Sequence, residues 1–133
     1  MNILIVEDNP DTRTVLAEVL RNRGHWVCWA ATGEAALEKL RLERIDVMLL
    51  DLELGGGMNG WDVASRKMRE PVMAHVPIII TSGISSEEIH SHNEAKHPLA
   101  GAMLILGKPI DLALLDRALA TIDGVAKPRA TEG

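Results

Sequence analysis

Four short apolar runs in this chain each stop at a residue that can do chemistry. Ile3-Leu4-Ile5-Val6 leads into Glu7-Asp8, and Val47-Met48-Leu49-Leu50 leads into Asp51. Ile78-Ile79-Ile80 leads into Thr81, and Met103-Leu104-Ile105-Leu106 is followed, one glycine later, by Lys108-Pro109. Apolar runs without alternation mark strands covered on both faces, as parallel sheets require. Ligands of such sheets bind just beyond the carboxyl ends of the strands. The pattern therefore gathers carboxylates, a hydroxyl and an ammonium at one sheet edge. That set suits a hard divalent cation and a phosphoryl group.

Helical spacing fills the gaps between the runs. After a first strand over 2–8, Asn9 is an expected N-cap and Pro10 suits the first helical position. Val15, Leu16, Val19 and Leu20 form a stripe, and Gly24 ends the helix. A second strand is expected over 25–30. Thr32 starts the next helix, with Ala36, Leu37 and Leu40 facing inward. The third strand, Ile45 to Leu52, is the most apolar. Gly55-Gly56-Gly57 makes a flexible loop, and Gly60-Trp61-Asp62-Val63 opens a helix that stops before Pro71. The fourth strand runs from Val76 to Thr81, and residues 82–88 read as a loop and helix start. The fifth strand spans 102–106. Asp111 caps a last helix with the stripe Leu112, Leu115, Leu119 and Ile122. Five βα units with right-handed crossovers make an α/β fold, a doubly wound parallel sheet with helices on both faces. The domain is expected over residues 1–123, with 124–133 as a flexible C-terminal tail. The start at Met1 favours a native N-terminus.

Composition removes several classes. At 133 residues the chain has one domain's worth of core. A net charge of -5 argues against nucleic-acid binding, which needs a basic face to displace counterions. Stacking platforms are few, since Trp26, Trp29 and Trp61 are the only aromatic rings of the Phe, Tyr and Trp type. Cys28 is the single cysteine, so no internal disulfide and no thiolate zinc cluster can form. Its apolar setting predicts a buried, inert thiol. No apolar run is long enough to span a bilayer, and Glu7-Asp8 interrupts the N-terminal run that a secretory signal would need. The expectation is a cytoplasmic protein without membrane or nucleic-acid partners.

The candidate site residues divide by role. Asp51, at the end of the most buried strand, is held rigidly enough to act as a nucleophile toward phosphorus; a simple capping aspartate would be followed directly by a helix start. Glu7 and Asp8 would repel each other and Asp51 unless a cation joins them. Mg²⁺ takes a few carboxylate oxygens and keeps several waters, leaving room for phosphate oxygens. Lys108 can pair with Asp51 at rest and with phosphoryl oxygens afterwards. Thr81 can donate its hydroxyl to a phosphoryl oxygen, although it also suits a plain strand position.

With these residues in view, the chain resembles the response-regulator receiver domains of two-component signalling over roughly residues 1–123, of the single-domain, chemotaxis-regulator type. The resemblance is carried by Ile3-Leu4-Ile5-Val6-Glu7-Asp8-Asn9, Asp51-Leu52, Gly60-Trp61-Asp62-Val63, Thr81-Ser82-Gly83, Gly101-Ala102 and Lys108-Pro109. It implies a flavodoxin-like (βα)5 fold with strand order 2-1-3-4-5. It implies that Asp51 accepts a phosphoryl group from a phosphohistidine on a histidine kinase or a histidine phosphotransfer protein. Asp8, Asp51 and the backbone carbonyl of Glu53 would bind Mg²⁺ (or Mn²⁺), with Glu7 holding metal-bound water. Thr81 and Lys108 would contact the phosphoryl group. The output would be a contact with a downstream target protein, through the fourth helix, fifth strand and last helix. The chain would not be an enzyme beyond its own aspartyl phosphorylation and dephosphorylation.

Three departures stand beside the resemblance. Receivers usually carry Tyr or Phe three residues before the lysine, where this chain has Ile105, which cannot act as a reorienting ring. The loop after Asp51 is rich in glycine, which lets Glu53 sample more than one position. The segment between Thr81 and Gly101 is longer than usual and contains His90, His92 and His97. It reads as a solvated helix, with a metal-binding or pH-sensing patch as the sharper alternative. Two rival functions follow. A pseudo-receiver, an interaction module not controlled by phosphorylation, is favoured only by Ile105. An aspartate-nucleophile phosphatase would want an aspartate at position 53.

Overall fold

The structure of the chain, a computed structural model, describes residues 1–83 and 102–126. Five strands form one parallel sheet: β1 (Asn2–Val6), β2 (Trp26–Ala30), β3 (Val47–Asp51), β4 (Ile78–Ser82) and β5 (Ala102–Gly107). Their order is β2-β1-β3-β4-β5, the doubly wound, flavodoxin-like arrangement expected. The helices are α1 (Pro10–Asn22), α2 (Gly33–Leu42), α3 (Gly60–Met68), the four-residue α4 (Pro71–Ala74) and α5 (Leu112–Ala126).

Alternation along each strand sends successive side chains to opposite faces, and both faces are covered. Leu4, Val6, Met48, Leu50, Ile78 and Ile80 pack toward Ala36, Leu37 and Leu40 of α2 and Val63 and Ala64 of α3. Ile3, Ile5, Val47, Leu49 and Ile79 pack toward Leu16 and Leu20 of α1 and Leu115, Leu119 and Ile122 of α5. Two cores back to back explain why the strands read as unbroken apolar runs.

The caps are those the sequence implies. Asn9 Oδ1 accepts the Thr12 N–H at 3.0 Å, and Thr32 Oγ1 accepts the Ala35 N–H at 3.1 Å. Asp111 Oδ1 accepts the Ala113 N–H at 2.9 Å, opening α5. Gly24 lies just past α1 with φ +89°, a conformation that favours glycine.

Several expectations need correction. Val15 is 61% exposed, and the buried arc of α1 is Leu16, Ala17 and Leu20. A stripe of four positions is wider than the face this helix buries, and small Ala17 takes the inner position. Leu112 is likewise exposed at the first turn of α5, and Ala118 joins the buried face in its place. Trp61, in the first turn of α3, is buried in the core. Strand β3 is shorter than 45–52, and the short helix α4 opens on Pro71 itself, where no element is expected from the sequence. Helix α5 continues to Ala126, past the boundary at 123. The histidine-rich segment 90–97 and residues 127–133 lie outside the described residues.

Lys67 is a further surprise: a lysine on α3 with no exposed surface. Its ammonium donates to Ala74 O at 2.8 Å, tying α3 to the end of α4. Burial pulls its pKa below the usual lysine value. The cost of holding the charge therefore applies at neutral pH and fades as pH rises toward lysine's ordinary range. Lys67→Met keeps the apolar stem while removing that cost and one hydrogen bond. We expect it to change unfolding free energy by less than about 1 kcal/mol at pH 7. Lys67→Ala leaves a hole and should cost about 3 kcal/mol. Denaturant melts of both variants check this; equal losses would show that the ammonium, not the stem, matters.

Candidate functional site at the carboxyl edge of the sheet

Asp51 is the last residue of β3 and is buried. Glu7 and Asp8 follow β1 directly, and β1 and β3 are neighbours in register. The geometry brings one carboxylate oxygen from each of Glu7, Asp8 and Asp51 within 4.8 Å of one another. Three carboxylates this close repel, and an oxygen-ligated divalent cation is the chemistry that such a donor set fits.

Lys108, just past β5, reaches across β4 to the acids. Its Nζ lies 3.1 Å from Asp51 Oδ2 and 3.2 Å from Glu7 Oε1. The Lys108–Pro109 peptide bond is cis. Burial pulls the Lys108 pKa down, but the hydrogen bonds and charges of Asp51 and Glu7 outweigh it and hold the ammonium above its usual value. Glu7 is also shifted upward although it shares an ion pair with Lys108. Burial is the main cause and the Asp51 charge adds to it, against the Asn9 N–H and Lys108. One ammonium divided between two carboxylates gives the lysine two counter-charges, while at Glu7 its share does not offset burial.

Main-chain donors fix the remaining oxygens. Asp51 Oδ1 accepts the Glu53 N–H at 2.9 Å, Asp8 Oδ2 accepts the Gly55 N–H at 2.9 Å, and Glu7 Oε2 accepts the Asn9 N–H at 3.1 Å. Thr81 is buried, pairs in register with Asp51 and accepts the Leu52 N–H on its carbonyl at 3.1 Å. Gly60, at the start of α3, packs directly beneath. A Cβ there would lie 2.5 Å from the Asp51 carbonyl oxygen and 2.6 Å from Leu52 Cα. The segment carrying Asp51 can sit so close to α3 only because residue 60 has no side chain.

Every residue singled out from sequence as a site residue thus meets the others at one edge, except Ile105. That residue is half-buried against the α2–α3 core and takes no part in the polar cluster. Two further side chains take part, the Glu53 carboxylate and the Arg13 guanidinium. The Glu53 carboxylate accepts from the Ser82 hydroxyl and, at 2.8 Å, from the Gly83 N–H. Arg13 donates to Glu7 O at 3.2 Å and stacks 3.8 Å from the centre of the Trp29 ring. Arg13 sits one turn into α1, a signal too common to single out.

A five-stranded parallel sheet of order 2-1-3-4-5 with acids and a lysine on its carboxyl edge is a flavodoxin-like domain whose site fits a divalent cation and a phosphoryl group. The chain belongs to the response regulator receiver domain family, whose model matches residues 3–120. It is 32% identical to protein Rrf1 of Nitratidesulfovibrio vulgaris, over 90% of this chain and 83% of that protein. It is 30% identical to protein PilH of Pseudomonas aeruginosa, over 92% of this chain and 95% of that one. Other relatives are longer: the chain spans 26% of the Escherichia coli transcriptional regulatory protein ZraR. Among solved structures it is similar to the receiver domain of the P. aeruginosa sensor histidine kinase PA1611, which has a magnesium ion coordinated in its active-site cleft. The TM-score is 0.80 at 29% identity, covering 92% of this chain and 97% of that one. Receiver domains are signalling domains that interact with histidine kinases and downstream effectors. No helix among the described residues is long and apolar enough to cross a membrane.

Proposed function

We propose that residues 1–123 act as a phosphoacceptor switch, with Asp51 as the accepting residue. The observation that carries this is the Asp51 carboxylate held between the Lys108 ammonium and the Glu53 N–H, beside two further acids. An Asp51 oxygen attacks the phosphorus of a phosphohistidine on a histidine kinase or phosphotransfer protein. The P–N bond breaks, its electron pair leaves on the imidazole, and an acyl phosphate remains on Asp51. Glu7, Asp8, Asp51 and the Glu53 carbonyl would hold Mg²⁺ or Mn²⁺, which when bound supplies positive charge against the acids and the phosphoryl oxygens. Lys108 keeps its proton throughout and exchanges Asp51 for phosphoryl oxygens. The Thr81 hydroxyl donates to another of those oxygens once the segment around it shifts. That differential contact biases a protein-binding surface toward a downstream target protein. The cytoplasm is the compartment we assign, without nucleic-acid or membrane partners.

A phosphatase of the aspartate-nucleophile type is disfavoured, because the carboxylate two residues after Asp51 is occupied with Ser82 and Gly83. The pseudo-receiver alternative rests on Ile105 alone and predicts no phosphoryl uptake at Asp51.

A thermal melt tests the metal site on which the switch depends. Mg²⁺ at about 100 times its Kd should add about 2.7 kcal/mol of stability, a rise in Tm of roughly 5–10 °C for a domain of this size. Asp8→Ala should remove most of the rise. A Tm indifferent to Mg²⁺ in the unsubstituted protein would overturn the proposal.

A further inference from the structure

Glu53 faces two ways. Its main-chain N–H holds Asp51 Oδ1, while its carboxylate holds the Ser82 hydroxyl and the Gly83 N–H. Ser82 is buried, and its carbonyl accepts the Lys108 N–H at 2.9 Å. The two residues after Thr81 are therefore gripped from the β3 side by Glu53 and from the β5 side by Lys108. Both gripping residues also touch Asp51.

We infer that the Glu53 carboxylate is a latch that holds Thr81, Ser82 and Gly83 in their resting place and lets go when Asp51 is phosphorylated. This rests on the phosphoacceptor reading above. The physical reason is competition between anions. The acyl phosphate carries roughly 1.5 to 2 negative charges where the free carboxylate carries one, next to a residue whose N–H already touches Asp51. Like charges at that range repel. Glu53 is exposed, so its hydrogen bonds are softened by solvent and can be given up. Once it swings away, Ser82 and Gly83 lose two of the bonds that hold them, and the segment carrying Thr81 gains the freedom to bring the hydroxyl to the phosphoryl oxygen. Ile105 has no ring to reorient, so a two-state element must lie elsewhere, and this latch is one. Glu53 is thus a positioning residue acting through Ser82 and Gly83.

Ser82→Ala separates the latch from plain charge, because it removes one latch bond and leaves every charge in place. With Mg²⁺ present, beryllofluoride should bind Ser82→Ala about threefold tighter and Glu53→Ala about tenfold tighter than the unsubstituted chain, because less of the resting state must be overcome. The double variant should bind no tighter than Glu53→Ala, since both changes break one unit. In the unsubstituted protein, the Gly83 amide should exchange slowly with solvent and speed up on saturation with beryllofluoride. Unchanged beryllofluoride affinity in Ser82→Ala, or a Gly83 amide whose exchange ignores beryllofluoride, overturns the latch alone. An unsubstituted protein with no Asp51-dependent response to beryllofluoride overturns both the latch and the phosphoacceptor reading.

Discussion

Asp51→Asn should take up no phosphoryl group from acetyl phosphate in the presence of Mg²⁺, with labelling reduced at least roughly 100-fold. The amide has the shape of the carboxylate but no anionic oxygen to attack phosphorus. Its nitrogen would also face the Lys108 ammonium, now 3.1 Å from Asp51 Oδ2, so two donors would meet where a donor and an acceptor meet now. The fold should survive, because β3 is anchored by Val47, Met48, Leu49 and Leu50, all buried in the two cores. Lys108 also keeps Glu7 as a partner at 3.2 Å. A phosphate-binding gel or intact-mass measurement reads the result, alongside circular dichroism to show that the variant is folded. Labelling at the unsubstituted level would move the acceptor to another residue.

Gly60→Ala should be the most damaging glycine-to-alanine change among the described residues. The added carbon would lie 2.5 Å from the Asp51 carbonyl oxygen and 2.6 Å from Leu52 Cα. Both are main-chain atoms in or next to a central strand, so no side chain can rotate out of the way. Either α3 or the end of β3 must move. Overpacking of this kind costs about 3 kcal/mol, which lowers Tm by roughly 10 °C at this size. The shift would also carry Asp51 away from Lys108, so Mg²⁺-dependent stabilisation should weaken in the same variant. A control at Gly57, whose Cβ would meet only the end of the Glu34 side chain at 3.4 Å, should be close to neutral. A Gly60→Ala protein as stable as the parent would mean that α3 sits further from β3 than described.

Much of this architecture is legible in the chain because its signals are redundant. The apolar runs that end at Val6, Leu50, Ile80 and Leu106 mark strands and, by ending in polar residues, also mark which edge carries chemistry. Asn9, Thr32 and Asp111 could be read as caps because a side chain that accepts from the N–H groups of a first helical turn is a local matter. What escaped is tertiary. Whether Val15 or Ala17 faces the sheet depends on how α1 rolls, which a stripe of four positions does not decide. Trp61 looks like an amphipathic surface residue until α3 is seen to cover the core. The buried Lys67 depends on a four-residue helix after Pro71 that has almost no periodicity to read. The site acids were visible singly, yet the Glu53 carboxylate was not, since its partners Ser82 and Gly83 are about thirty residues away and belong to another strand end.

The register that sets Asp51 opposite Thr81 has a consequence for how such domains diversify. Adjacent strands in a sheet stand about 4.8 Å apart, so strand pairing sets the resting backbone spacing between Asp51 and Thr81. The stretches that connect the strands do not set it. Insertions after residue 83, or rewiring of the glycine-rich turn at 55–57, can therefore remodel what the domain speaks to while leaving its reaction untouched.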